Sequence, residues 1–281
     1  MVKNDYYSTG LILTSVLFLL LCSCNPAESP APDQALANQK LPVMKDKPTV
    51  SQVKIIDVYD NVEGNAGFKT GFGFACVVLL EEENILFDTG GDAPTLLANL
   101  QTAGIAPEDI DRIVLSHAHA DHYGGLMGFL EKNTDVKVYL PAAFPDSFKE
   151  EVRAAGAELE EIEHPVAITK GVYSTGMLGD KIKEQSLVID TNEGLVVITG
   201  CAHPGIAHIV QAAKVLRDKH VYLAMGGFHR PPLSAVEEFQ AMGVEKAAPS
   251  HCTGEAAMQA FEEAYGEDYI GSGVGRVIEV E

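Results

Sequence analysis

A layered α/β fold is what the sequence predicts, and three features predict it. From Ser51 onward, strand-like runs rich in β-branched residues alternate with runs of helical apolar spacing. A recurrent order accompanies them: strand, then a loop carrying histidine or aspartate with glycine, then helix. Polar ligand-type side chains at strand ends, with helices outside, are how layered α/β enzymes build a site. The composition agrees, since 46% hydrophobic residues in a chain of 281 suffice for a sizeable core.

Element by element, "VKIIDVYDN" reads as a strand, and "FGFACVVLLEEENILFDTGG" as two strands around an acidic hairpin, the second from Asn84 to Phe87. "APTLLANLQTAG" has helical spacing and stops at Gly104. A short strand from Arg112 to Leu115 precedes the histidine-rich "SHAHADHYGG", and "GGLMGFLEKN" opens a helix after its glycine pair. "VKVYLPAAF" is a strand, "PDSFKEEVRAAG" a helix, and the stretch from 157 to 205 is β-rich. The chain then reads helix ("IAHIVQAAKVLRDK"), strand ("HVYLAMGGFH") and helix ("SAVEEFQAMG", Ser234 as N-cap). The short strand "EKAAPSHCTG", the helix "EAAMQAFEEAYG" and the closing strand "GSGVGRVIEVE" complete it.

Residues 1–23 read as a lipoprotein signal peptide. Lys3 precedes an apolar run from Leu11 to Leu21, which as a helix rises only about 16 Å against the ~30 Å hydrocarbon core. The run ends in "LCSC", which resembles a bacterial lipobox: Leu21 at −3, Ser23 at −1 and Cys24 as the lipidated residue. Residues 24–50, rich in Pro, Ala and polar side chains, read as a flexible tether. The expectation is an exported lipoprotein of a bacterial cell envelope, held to a membrane by its acyl chain. With Cys22 removed and Cys24 acylated, Cys76, Cys201 and Cys252 remain, an odd number that gives no disulfide framework. A net charge of −20 disfavours nucleic acid as a partner, but not a divalent cation.

The chemistry-bearing segment is "HAHADH", three histidines and an aspartate in six positions. His117 and His119 are i, i+2, so an extended segment projects both to one side, and Asp121 continues the series. His122 turns to the other side as the loop enters a helix, so one segment feeds two adjacent cation positions. Imidazole nitrogen and carboxylate oxygen are donors that zinc and similar metals accept. A catalytic zinc takes about three protein ligands, so further histidines must join. His203 in "TGCAHPGI", His229 in "GGFHR" and His251 in "PSHCTG" each follow a strand. His164, His208 and His220 sit in an acidic loop, a helix and a strand start, and read as ordinary.

This pattern resembles the HxHxDH motif of the metallo-β-lactamase superfamily, with Asp88 in "FDTGG" matching the "DTG" that precedes it. The resemblance covers residues 51–281 and implies one domain, a four-layer αββα metallo-β-lactamase-like sandwich. It implies one metal on His117, His119 and His203, a second on Asp121, His122 and His251, and Asp88 steadying the ligands from behind. Most two-metal members carry an aspartate bridging the cations. Here the only aspartate between His203 and His251 is Asp218, at the wrong end of its strand, and the expected place reads "GGFH". "GCAHPGI", "GGFH" and "SHCTG" resemble a subgroup of metal-dependent hydrolases related to archaeal proteins of dihydropterin and ribofuranosyl-aminobenzene phosphate chemistry. His229 then reads as a terminal ligand, a substrate contact or acid, or a structural residue. Cys201 and Cys252, each beside a proposed ligand, read as thiolate ligands, a disulfide or buried filler. Arg230 reads as meeting an anionic substrate or as a surface arginine.

The implied function is a metal-dependent hydrolase of a small-molecule ester, lactone or phosphoester. One or two divalent ions, Zn2+ ahead of Mn2+ or Fe2+, lower the pKa of bound water from about 15.7 to about 7, and the resulting hydroxide attacks. Asp121 and His229 are the expected catalytic residues: Asp121 to orient the nucleophile or carry its proton, His229 to stabilise developing charge. Two alternatives stand beside it: a pterin- or phosphate-linked transferase on the same metals, and a non-catalytic lipoprotein that binds a ligand or metal.

Overall fold

The computed structural model describes residues 43–44 and 49–281. The signal peptide, the Cys24 lipidation site and most of the tether lie outside the described residues. In chain order the strands are β1 (Val53–Tyr59), β2 (Ala75–Leu79), β3 (Asn84–Phe87), β4 (Arg112–Val114), β5 (Lys137–Pro141), β6 (Glu158–Ile162), β7 (Val166–Thr169), β8 (Val172–Ser174), β9 (Leu187–Asp190), β10 (Leu195–Thr199), β11 (Val221–Gly227), β12 (Lys246–Ser250) and β13 (Val277–Val280). The helices are α1 (Ala93–Ala103), α2 (Ala120–Tyr123), α3 (Leu126–Leu130), α4 (Asp146–Ala155), α5 (Ile206–Arg217), α6 (Ser234–Met242) and α7 (Glu255–Tyr265).

Among the described residues these strands form two sheets, ordered β13-β1-β2-β3-β4-β5-β6 and β12-β11-β10-β9-β8-β7. β3 to β6 run parallel in the first and β10 to β12 in the second; the other pairings are antiparallel. The period-2 alternation of strand side chains sorts the core into three layers. Ile55, Cys76, Val78, Ile85, Phe87, Val196, Ile198, Leu223 and Met225 pack between the sheets. Their neighbours Ile56, Val77 and Leu86 face outward onto Leu96, Leu100 and Phe129 of α1 and α3. Leu195, Val197 and Ala224 face Ile209, Ala213, Phe239 and Phe261 of α5 to α7. Strands buried on both faces explain the near-continuous apolar runs such as "LVVIT". The fold is an αββα sandwich.

Two local expectations are corrected. Ser234 is the first residue of α6, not its N-cap, which is Leu233; its hydroxyl donates to Glu238 within the helix. Asp121 leaves the extended series that the i, i+2 spacing predicts, because a helical turn, α2, begins at Ala120 with His119 as its N-cap.

Candidate metal centre

Five strands deliver the ligand-type side chains at their C-terminal ends: β3 leads to Asp88, β4 to His117, β10 to His203, β11 to His229 and β12 to His251. The backbone at these ends is unusual. Among the described residues six non-glycines have positive φ, and five are here: Asp88 (56°), Ala202 (59°), His229 (49°), Arg230 (47°) and His251 (49°). The left-handed region costs a non-glycine residue about 1–3 kcal/mol and persists where packing over-determines it. Gly200 is closely approached: a Cβ there would lie 2.1 Å from Ser116 Oγ and 2.9 Å from Asp88 Oδ2. A larger residue would push the His203 loop off the histidine-rich segment.

Three ring nitrogens converge first. His119 Nδ1 lies 3.0 Å from His117 Nε2 and 3.2 Å from His203 Nε2. Hydrogen bonding alone cannot account for this meeting. Ser116 Oγ donates its one hydrogen to Asp88 Oδ2 at 2.7 Å, so it must accept from His117 Nδ1 at 2.9 Å. His117 Nε2 therefore carries a lone pair aimed at its neighbours, and a single proton on His119 Nδ1 cannot serve both contacts. Adjacent corners of a tetrahedron with zinc–nitrogen arms stand about 3.3 Å apart. The trio fits a cation.

The second set is Asp121, His122 and His251, whose donor atoms lie within 4.8 Å of one another. Asn61 Nδ2 donates to the His251 carbonyl at 3.0 Å, which turns Asn61 Oδ1 toward His251 Nδ1 at 2.7 Å and places the proton there. His251 Nε2 is then a buried lone pair without a hydrogen-bond partner, 3.3 Å from Asp121 Oδ2. His122 repeats the logic. Its Nδ1 donates to Asp88 Oδ2 at 2.7 Å, leaving Nε2 to face Asp121 Oδ2 at 3.6 Å and Cys201 Sγ at 3.2 Å. A buried, oriented lone pair beside a carboxylate is what a second cation requires.

A family model for the metallo-beta-lactamase superfamily matches residues 69–251. The chain belongs to the metallo-beta-lactamase superfamily. It is 28% identical over 288 residues to the 7,8-dihydropterin-6-methyl-4-(beta-D-ribofuranosyl)-aminobenzene-5'-phosphate synthase of Methanocaldococcus jannaschii, covering 82% of this chain and 98% of that protein. A solved metal-dependent hydrolase of the beta-lactamase superfamily superposes with a TM-score of 0.67 at 27% identity, covering 82% of this chain and 99% of that one. A metallo-beta-lactamase fold protein from Bacillus subtilis gives a TM-score of 0.62 at 13% identity, with coverages of 82% and 100%, a likeness of fold alone. As a superfamily member the chain is suited to divalent metal, and its candidate His, Asp and Cys clusters supply the donors.

Electrostatics separate the two sets. Burial, with the surrounding imidazoles adding, pushes His117 far below the ordinary histidine range. Burial likewise lowers His119, and lowers His203 to about 4, so this trio stays neutral and ready to donate. In the second set burial would lower His122, but the Asp88 carboxylate outweighs it and raises the group. Burial would raise Asp121, but the neighbouring His251 and His122 rings hold it at about 2.

His229 is exposed at the rim, its ring 4.2 Å from that of His203 between centroids. Arg230 is exposed beside it. Phe72, 69% exposed, sets its ring 5.4 Å from His251 and gives the rim an apolar wall. His164, His208 and His220 lie apart from the cluster. His164 is exposed, His208 is on α5, and His220 bonds the Glu193 carbonyl and Glu245 at the surface. Cys201 and Cys252 are free thiols with their sulfurs 3.3 Å apart.

Three supporting residues escape the sequence reading. Glu184, fully buried, accepts from the amides of Cys201, Ala202 and His203 at 3.0, 2.8 and 2.8 Å and so holds the His203 loop. Burial pushes its carboxyl up, against those three donors. Ser116 and Asn61 fix the proton positions on His117 and His251. The polar Ser116 before the motif was a usable signal; Glu184 and Asn61 carry no local pattern.

Proposed function

We propose that this chain is a metal-dependent hydrolase of small-molecule esters, lactones or phosphoesters, its cations held by His117, His119 and His203 and by Asp121, His122 and His251. The observation that carries the reading is the pair of adjacent lone-pair clusters fed by one segment, with Asp88 bonded behind both. Divalent cations there, Zn2+ first, supply Lewis acidity and bring bound water toward a pKa of about 7. The protein's own groups do the positioning. Asp121, its carboxyl held below the usual carboxylate range by the neighbouring imidazoles, acts by orienting a donor against its carboxylate. His229, at the exposed rim, is placed to meet the leaving group, and Arg230 to attract an anionic one. Phe72 offers an apolar contact on one side of the rim.

A transferase working on a pterin- or phosphate-bearing substrate is the second reading, favoured by the likeness to the archaeal synthase. Purified protein loaded with Zn2+ and offered a panel of esters, lactones and phosphodiesters should turn over at least one class and lose all activity with a chelator. Product formation only from a pterin diphosphate and an aryl amine would replace hydrolysis by transfer. We also propose export and acylation at Cys24. Labelling with a fatty-acid analogue should mark the protein, and Cys24→Ala should abolish both label and membrane fractionation.

A further inference from the structure

The two donor sets are joined by one sulfur. Cys201 Sγ lies within 4.8 Å of the donor atoms of His117 and His122, and in a separate grouping within 4.8 Å of those of His203 and His229. Cys201 thus falls with members of both halves of the site. It is also held in place: its amide is bonded to Glu184, and the side chain, 4% exposed, points its sulfur 3.2 Å from the His122 Nε2 lone pair. A methyl-sized filler would need no such aim.

The end of β11 explains why a thiol fits. Gly227 has no side chain, and a Cβ built on it would lie 2.3 Å from the Gly200 carbonyl oxygen, 2.8 Å from Cys252 Sγ and 3.2 Å from Cys201 Cα. The absent side chain leaves room for the Gly200 carbonyl and, beside it, for the two cysteines. Cys252 Sγ reaches Cys201 Sγ at 3.3 Å and the Cys201 carbonyl at 3.7 Å, so one S–H remains to hydrogen-bond the other sulfur.

We propose that the Cys201 sulfur is a thiolate ligand shared between the two cation positions, with Cys252 as its hydrogen-bond donor. This rests on the metal-centre reading above. Coordination releases the Cys201 thiol proton to solvent and forms a sulfur–metal bond, with no change of oxidation state. Sulfur would soften the site toward zinc, cobalt or iron over magnesium or calcium.

The test is cobalt loading of the metal-free full chain, read by metal analysis and near-ultraviolet absorption, neither of which depends on turnover. Wild type should bind one Co2+ per donor set and show an intense thiolate-to-cobalt charge-transfer band. Cys201→Ser should lose the band and about half the cobalt while keeping its far-ultraviolet dichroism. Cys201→Asp, which restores a charged oxygen donor, should regain the cobalt without the band, and Cys252→Ser should keep both. Cobalt bound by wild type with no such band overturns the proposal and leaves the metal centre standing, and that result needs no variant to fold. A band that survives in Cys201→Ser, or vanishes in Cys252→Ser alone, also overturns it. Folded wild type that takes up no cobalt removes the metal centre itself.

Discussion

The two halves of the site use one segment in opposite ways. His117, His119 and His203 form an uncharged trio that opens to solvent through the partly exposed His119 and His203. Asp121, His122 and His251 form a set with a carboxylate, its two histidines buried at 0% and 6% exposure. Burial drives the first trio neutral, whereas Asp88 draws His122 upward. Under the proposed function the work divides along the same line: the open trio is the half assigned to the substrate, and the buried set the half assigned to anchoring a cation. The difference also shows that donor identity does not settle a ligand's readiness. Burial settles it for the trio, and the Asp88 carboxylate behind the ring settles it for His122.

The largest break should come from His119→Ala, since His119 Nδ1 touches both other nitrogens of its trio. It should remove that trio's cation and abolish turnover, leaving the buried set loaded; unchanged metal content would contradict the assignment. Next is Asp88→Asn. Asp88 bonds Ser116 and His122, so both halves should weaken by about 10–100-fold in a competitive metal titration. Asn61→Ala should reach only about the low end of that range, and only in the buried half, because Asn61 touches His251 alone among the ligands. Loss in the open trio would dissolve the comparison.

Smaller effects sharpen it. Glu184→Gln turns one acceptor into a donor facing amide N–H groups, so it should cost about 1–3 kcal/mol of stability, read as a lower Tm, and loosen only the His203 side. The pH dependence should be staged. His122 has a raised pKa, so on acidification protons compete for its donor nitrogen first; His203, lowered to about 4, resists longer. A metal titration from pH 7.5 to 5 should show the buried set losing affinity before the open trio. The metal-free fold carries a linked sign. The unfolded chain protonates His203 near the ordinary 6.5 and the fold only near 4, so this group's contribution is lost as pH falls through that window. Asp57, raised by burial to about 7, opposes this by favouring the fold as pH falls toward 3.8.

Much of this was legible in sequence because the carriers are local. Strands buried on both faces print apolar runs, Gly104 ends its helix as a left-handed cap, and "HAHADH" packs its donors into one segment. What escaped is held by contacts distant in sequence. Glu184 acts on amides 17 to 19 residues away, Asn61 on His251 across 190, and Cys252 on Cys201 across 51. No period or motif records such pairings. The α2 turn inside the motif was missed because four residues are too few to show helical spacing.

Two cations are proposed where the ring nitrogens and Asp121 converge. Anomalous diffraction from zinc-loaded crystals, collected on both sides of the zinc absorption edge, tests this most directly. One peak should appear among His117, His119 and His203 and another among Asp121, His122 and His251. Crystals of active protein with neither peak would contradict the proposal.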